Sequence, residues 1–280
     1  MSQIKRKKRR RNKRRYYRAL AIRIGICVAI LVILISIVVT LVKKIFFSKD
    51  ETEEAPKEPE VLTTQELLEK TAQENDFSVE EYPEQLIELL EKNPEAEEYV
   101  LNYPLKKGTY TDENLKDPEE TNGLPLLIQW DDRWGYFEYA DNVMGLAGCG
   151  PTSLSMVASY LLDDPSLTPI YMAEYAMENG HSIDGGGTAW SLMNEGARAL
   201  GLNPKEVPLD ENAIKKHLEN GRPIICNVGE GIFTDNGHYM VFAGWEDGKI
   251  KINDPNRREY SARLWSFEEI QDQIKNMWVY

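Results

Sequence analysis

No aspartate or glutamate occurs before Asp50, although the chain of 280 residues holds 46 of them. The molecule is therefore divided by charge. Of 33 Lys/Arg, 14 lie at or before Lys44, and the 19 that remain against 46 acids leave residues 45–280 at a net −27. A body so short of positive charge argues against nucleic-acid binding there, because phosphate recognition needs clustered cations; only the first 23 residues could form such an arm. Cysteine is scarce as well. Cys27, Cys149 and Cys226 are the whole complement, too few for a disulfide framework. Histidine is limited to His181, His217 and His238. Repeats and low-complexity tracts are missing too, which excludes solenoid and collagen-like architectures and leaves one good-sized globular domain with extensions.

Charge is absent altogether from Ile24 to Val42, 19 residues rich in Ile, Val and Leu. Such a run spans ~30 Å of hydrocarbon as a helix. Twelve Lys/Arg between Lys5 and Arg23, against Lys43 and Lys44 beyond the run, orient it with the N-terminus cytoplasmic and the body outside. The run exceeds the ~7–15 residue core of a signal peptide, and no small-x-small pattern follows it before the lysine pair, so an uncleaved anchor is expected. Ile26 stands before Cys27 and the apolar run lies after it, which argues for a membrane-buried structural cysteine over a lipidated one.

Ser48 to Glu60 reads SKDETEEAPKEPE and cannot bury apolar surface. Beyond it, Thr63 with Glu66 and Ser78 with Glu81 fit capping boxes, and Asn93-Pro94-Glu95 is a third helix start. Leu67, Leu68, Leu86, Ile87, Leu89, Leu90, Tyr99, Val100 and Tyr103 recur at helical spacing and make one apolar face. Further on, helical patterns at 151–162, 189–200 and 210–219 precede strand-like runs at 223–228, 238–245 and 249–253. The last two runs flank Glu246-Asp247-Gly248, a hairpin signal. The expected organisation is a basic cytoplasmic tail at 1–23, a transmembrane helix in the bilayer at 24–42, an acidic linker at 43–60, a helical stalk or subdomain at 61–123, and an α+β domain at 124–280. In the last, helices come first and an antiparallel sheet follows. The stalk either packs on the body or binds a partner.

Cys149 stands in Gly145-Leu-Ala-Gly-Cys-Gly-Pro-Thr-Ser153, where glycines permit close backbone approach and Pro151 suits the first turn of a helix running to Leu162. A thiol at a helix start is stabilised as thiolate by the helix dipole and the free N–H groups, and the Cys149 N–H could help hold an oxyanion. Cys226, within the apolar strand 223–228, reads as a structural thiol. A cysteine nucleophile needs a histidine and a group that orients the ring. His217 falls on the charged face of its helix, and His181 lies in a turn as a structural or solvent-facing residue. His238 opens the most apolar strand of the domain, and Asp254 follows the next strand of the same hairpin, so the two can meet. Asn253 could orient the ring instead, although strand alternation allows only one of the pair to face it. Gly185–Gly187 form either a backbone ledge for an extended substrate or a plain turn; Trp134, Trp190 and Trp245 are either cleft walls or core.

Taken together, these blocks resemble the papain-fold cysteine peptidases related to the bacteriocin-processing, double-glycine leader peptidases. The resemblance covers Leu124 to Tyr280 and rests on Gln129 with Trp134-Gly135, Ala-Gly-Cys149-Gly-Pro-Thr-Ser, Gly-Gly-Gly-Thr-Ala-Trp190, Gly221-Arg-Pro-Ile, Gly237-His-Tyr-Met-Val and Asn253-Asp-Pro. It implies a papain-like fold, Cys149 as nucleophile, His238 as general base and then acid, Asp254 as orienting group and Gln129 as the oxyanion-hole side chain; no cofactor is expected, and a metal site is not expected because the remaining histidines offer no ligand spacing. Gln129 lies 20 residues before Cys149, a longer gap than the family's few. The leader peptidases are fused to a multi-span transporter with an ATPase, whereas this chain has one apolar run and no G-x-x-x-x-G-K-[ST] loop, which argues against a dedicated leader-cleaving role.

The expectation is a membrane-anchored, extracytoplasmic cysteine peptidase on a bacterial, Gram-positive surface, with a peptide or protein as substrate. One alternative is a hydrolase of peptidoglycan stem peptides, which the −27 body disfavours for docking on anionic wall polymers. The other is a catalytically silent, tethered binding module.

Overall fold

The computed structural model describes residues 23, 25, 30–42, 62–111 and 113–280. The chain divides into two units, Met1–Val61 and Leu62–Tyr280. In the first, residues 30–42 are helical, and their aliphatic side chains are exposed. The expected transmembrane helix 24–42 lies partly outside the described residues, as do the basic tail apart from Arg23, Cys27 and the linker 43–60. Among the described residues no helix is long and apolar enough to cross a membrane.

In the second unit the caps work as the sequence predicts. Thr63 and Glu66 exchange side-chain and backbone hydrogen bonds at the start of α1, Thr64–Asn75. Ser78 and Glu81 form the same box over a single 3-10 turn, Val79–Glu81, and Asn93 with Pro94 opens another, Pro94–Ala96. Helices α2, Glu84–Lys92, and α3, Glu97–Lys106, complete the segment. Leu68, Leu86, Leu90, Tyr99 and Val100 form one cluster with Leu126, Ile128, Trp130, Tyr136 and Val143, so the helices share a core with the residues that follow. Each such side chain removed from water contributes about 1.5–3 kcal/mol.

A six-stranded sheet, antiparallel throughout, carries the remainder. Its strands are β1 Lys205–Glu206, β2 Ile224–Gly229, β3 Gly237–Glu246, β4 Lys249–Asn253, β5 Leu264–Trp265 and β6 Ile274–Val279, in the spatial order β5-β4-β3-β2-β6-β1. Alternation sends Ile225, Tyr239 and Val241 to one face, and Ile224, Cys226, Met240 and Phe242 to the other. The first face packs on Leu154, Val157 and Ala158 of the central helix α5, Cys149–Leu162, with α6, Pro169–Glu178, in the same cluster. The second is covered by Ile214 and Leu218 of α7, Glu211–Glu219, and by Trp265.

Between β3 and β4 the register slips by one residue: Lys251 pairs with Gly244 but Ile252 with Phe242. The bulge at Ala243 lets Phe242 and Trp245, three apart, both serve the second cluster.

Three features differ from the sequence expectation. The central helix begins at Cys149, two residues before the helical pattern at 151–162. Residues 192–199 are a π-helical turn, Leu192–Gly196, continued by Ala197–Ala199. The strand β6 was not expected, because Lys275 and Asn276 break its alternation where the register also shifts. The α+β arrangement of a helix on an antiparallel sheet is the one expected.

Candidate active site

Cys149 is the first residue of α5, Cys149–Leu162, immediately after a short helix α4, Met144–Ala147, and the intervening Gly148. The flanking glycines are required by contact. A Cβ on Gly148 would lie 2.7 Å from Met144 Sδ, and one on Gly150 would lie 2.6 Å from Thr188 Cβ. Cys149 thus enters the helix between two positions at which a side chain would collide with Met144 or Thr188. Its side chain is half-buried. Two buried tyrosines stand near it: Tyr239 donates to Thr188 O at 3.1 Å, and Tyr139 pairs with Thr188 Oγ1 at 2.7 Å. Burial first, and then the charge of Cys149, holds the Tyr239 hydroxyl far above its ordinary range, so it stays a neutral donor.

His238 and Asp254 meet as the hairpin predicts. His238 Nε2 lies 3.1 Å from Asp254 Oδ2, with both residues buried. Desolvation opposes the imidazolium, but the charge and hydrogen bond of Asp254, joined by a hydrogen bond and charge from Cys149, outweigh it and raise His238 to about 10. With Nε2 on the carboxylate, Nδ1 is the nitrogen left for the thiol. The other carboxylate oxygen, Oδ1, accepts from Asn256 N at 2.7 Å and Arg257 N at 2.8 Å, and the Asp254 N–H donates to Ser261 Oγ at 2.8 Å. Asn253 is turned away: its amide donates to Pro125 O at 3.1 Å. Of the two neighbours, the structure gives the aspartate to the histidine.

Gln129 lies against the short helix that leads into Cys149. It is buried, its Nε2 donates to Gly145 O at 2.8 Å, and its Oε1 has no partner. The 20-residue interval holds a turn and a short ribbon, Glu138–Tyr139 with Asn142–Val143, which bring the glutamine onto Gly145 of α4, one turn before the cysteine. Trp134 is core, donating to Ile128 O at 2.7 Å, and Trp245 lies away from the cysteine. Trp190 alone of the three lines the cleft, half exposed, with its indole N–H on Asn227 Oδ1 at 3.1 Å and its ring edge-to-face on Trp278. His181 is buried and paired with Ser191 Oγ at 2.8 Å, whereas His217 lies beside Arg222. Burial pushes the Cys226 thiol well up, which leaves it inert.

The cleft over Cys149 has a volume of about 910 Å³. One wall is the glycine ribbon, Gly185–Gly187, with Thr188 and Trp190; another is the 231–237 loop. A third wall comes from the helical segment before the domain: Gln85, Glu88, Leu89 and Lys92 of α2 and the adjoining Asn93 also line the cleft. Nothing in the spacing of an amphipathic helix reveals what its polar face meets. Asn227 was missed as well, although an asparagine in the apolar run Ile224-Ile-Cys-Asn-Val228 is a signal: buried, it also donates to His238 O at 3.2 Å.

Residues 121–280 match the Peptidase_C39 like family. Among solved structures, the peptidase domain of Streptococcus ComA, a bifunctional ABC transporter involved in a quorum-sensing pathway, is similar at 24% identity and a TM-score of 0.36, the match covering 48% of this chain and 90% of that one. A chain from Bacillus anthracis described as a C39-like peptidase is similar at 15% identity and a TM-score of 0.35, over 60% of this chain and 98% of its own. No curated protein matches.

Proposed function

The chain belongs to the Peptidase_C39 like family and is a cysteine peptidase with a peptide or protein substrate, and on that premise we propose that Cys149 is its nucleophile, His238 its general base and acid, and Asp254 the orienting carboxylate. The observation that carries this assignment is the buried His238–Asp254 pair, with the remaining ring nitrogen left to a thiol at a helix start.

In this reading the thiolate of Cys149 attacks the scissile carbonyl carbon, and the oxyanion is held at the start of α5 by the Cys149 N–H. Gln129, committed to Gly145 O, supports the wall behind that N–H. The tetrahedral intermediate collapses as the His238 imidazolium gives its proton to the leaving amine, and a thioester remains on Cys149. Water then loses a proton to His238 and attacks the thioester carbonyl. The second collapse releases the carboxylic acid and restores the pair. Asp254 keeps its orientation throughout, held by the N–H groups of Asn256 and Arg257.

The reading includes a bilayer anchor at 24–42 with the peptidase unit outside the cell. It is supported by the uncharged run, by the basic residues on one side of it, and by the exposed aliphatic side chains around the helix at 30–42.

The test is the rate of iodoacetamide alkylation against pH, read site by site, on the wild type and His238→Ala. Cys149 should label well below pH 8 in the wild type and lose that advantage in the variant. A Cys149 no faster than an ordinary thiol, with or without His238, would overturn the catalytic assignment. Peptides and wall stem peptides are the substrates to screen next.

A further inference from the structure

The loop that carries Asp254 is held from two sides, and one of them lies outside the family's matched residues. On the side of the peptidase domain, Gln129 N donates to Pro255 O at 2.7 Å and Trp130 Nε1 to Asn256 O at 2.8 Å. From the other side comes the stretch that joins α2 to α3. Asn93, buried in the joint, donates through Nδ2 to the same Asn256 O at 2.8 Å, and the Arg257 guanidinium donates to Lys92 O. Glu95 spends both carboxylate oxygens on the loop, accepting from Arg258 N at 2.8 Å and Glu259 N at 2.9 Å.

These last two N–H groups open the short helix α8, Arg258–Ala262, whose N-cap residue, Arg257, supplies no side-chain cap. A helix start without a cap is left with unpaired donors. Here an acid more than 160 residues away in sequence provides the missing acceptor. The bonds are placed where they matter: the Asn256 and Arg257 N–H groups fix Asp254 Oδ1, so any rotation of peptides 255–258 moves the carboxylate against His238.

We propose that Glu95 and Asn93 are positioning residues of the reaction, acting through the 255–259 loop on Asp254, so that the helical segment before the peptidase domain is a working part of the active site and not a spacer. The proposal rests on the Cys149–His238–Asp254 assignment. Substrate need not touch either residue for the effect to appear.

The experiment uses the full chain and compares Cys149 alkylation against pH in wild type, Glu95→Ala, Asn93→Ala and, as a control on the exposed side of α2, Glu91→Ala. Loosening Asp254 disfavours the imidazolium and with it the thiolate. The acid limb of the profile should therefore move up by about one pH unit or more, which slows labelling below the limb about tenfold. Glu95→Gln, which keeps one acceptor, should shift it less, and Glu91→Ala not at all. If either alanine variant fails to fold, Glu95→Gln carries the decision: an intermediate shift supports the proposal, and a profile superimposed on the wild type's overturns it. Profiles of the alanine variants that superimpose on the wild type's also overturn it, even where Tm falls, because lost stability alone marks a structural contact. A wild-type profile with the limb of an ordinary thiol would sink the triad assignment itself, whereas a low wild-type limb with unmoved variants sinks only the positioning role.

Discussion

Burial alone would strip His238 of its proton, yet Asp254, with Cys149 behind it, raises the group to about 10 from its ordinary 6.5. The proton is bound more tightly in the folded chain than in the unfolded one. His238 therefore contributes stability that is present in full below pH 6.5 and is lost as the pH rises through about 10. Calorimetry should show Tm falling across that window, and Asp254→Asn should flatten the fall, since burial then acts unopposed. A variant whose Tm declines as steeply as the wild type's would show that the carboxylate does not hold the charge. The neighbouring residue behaves differently: Asn253, on Pro125 O, belongs to the packing of the chain's entry into the domain. The sequence narrows the orienting group to two adjacent residues by strand alternation; which of them faces inward depends on the bulge at Ala243 and on the turn after β4, neither of which leaves a pattern in composition.

At the scale of elements, the joint between α3 and the short helix α4 is as tight as any in the molecule. Tyr99 of α3 stacks on Tyr136 with ring centroids 4.6 Å apart and donates to Gly135 O at 2.8 Å. A Cβ at Gly145 would fall inside its phenol. Gly145→Ala should therefore cost about 1–3 kcal/mol through overpacking, visible as a lower urea midpoint with an unchanged slope. The same substitution should disturb the bond from Gln129 to Gly145 O and so slow Cys149. A midpoint equal to the wild type's would mean that Tyr99 has room to move. The glycine block around Cys149 is readable as a demand for close approach. That the partner on one side is a tyrosine from the preceding helical segment is not, because amphipathic spacing gives the buried face and says nothing of what covers it.

For the whole molecule, the division of charge is what the proposed topology rests on. A basic head, an uncharged run and a body at −27 predict a peptidase displayed outside the cell and a tail retained inside. Protease added to intact cells should remove an epitope placed at the C-terminus and spare one placed at the N-terminus; protection of both, or loss of both, would contradict that topology. The body itself should come away as one piece, since Leu62–Tyr280 is one compact unit with Leu86 and Tyr99 in the same cluster as Trp130 and Tyr136. Proteolysis is expected in the SKDETEEAPKEPE stretch, whose composition cannot bury apolar surface.

The sequence by itself determined the glycine-rich setting of Cys149, the hairpin that joins His238 to Asp254, the helix caps, and the division of charge along the chain. All of these depend on local spacing, on residue chemistry at a turn, or on plain counting. Only the tertiary structure decided that Gln129 bonds Gly145 O, that β6 enters the sheet beside β2, and that Asn93 and Glu95 reach the loop of Asp254. Each of these joins residues far apart in the chain through hydrogen bonds to backbone groups, and a backbone N–H or carbonyl carries no mark in the sequence of the partner it will meet.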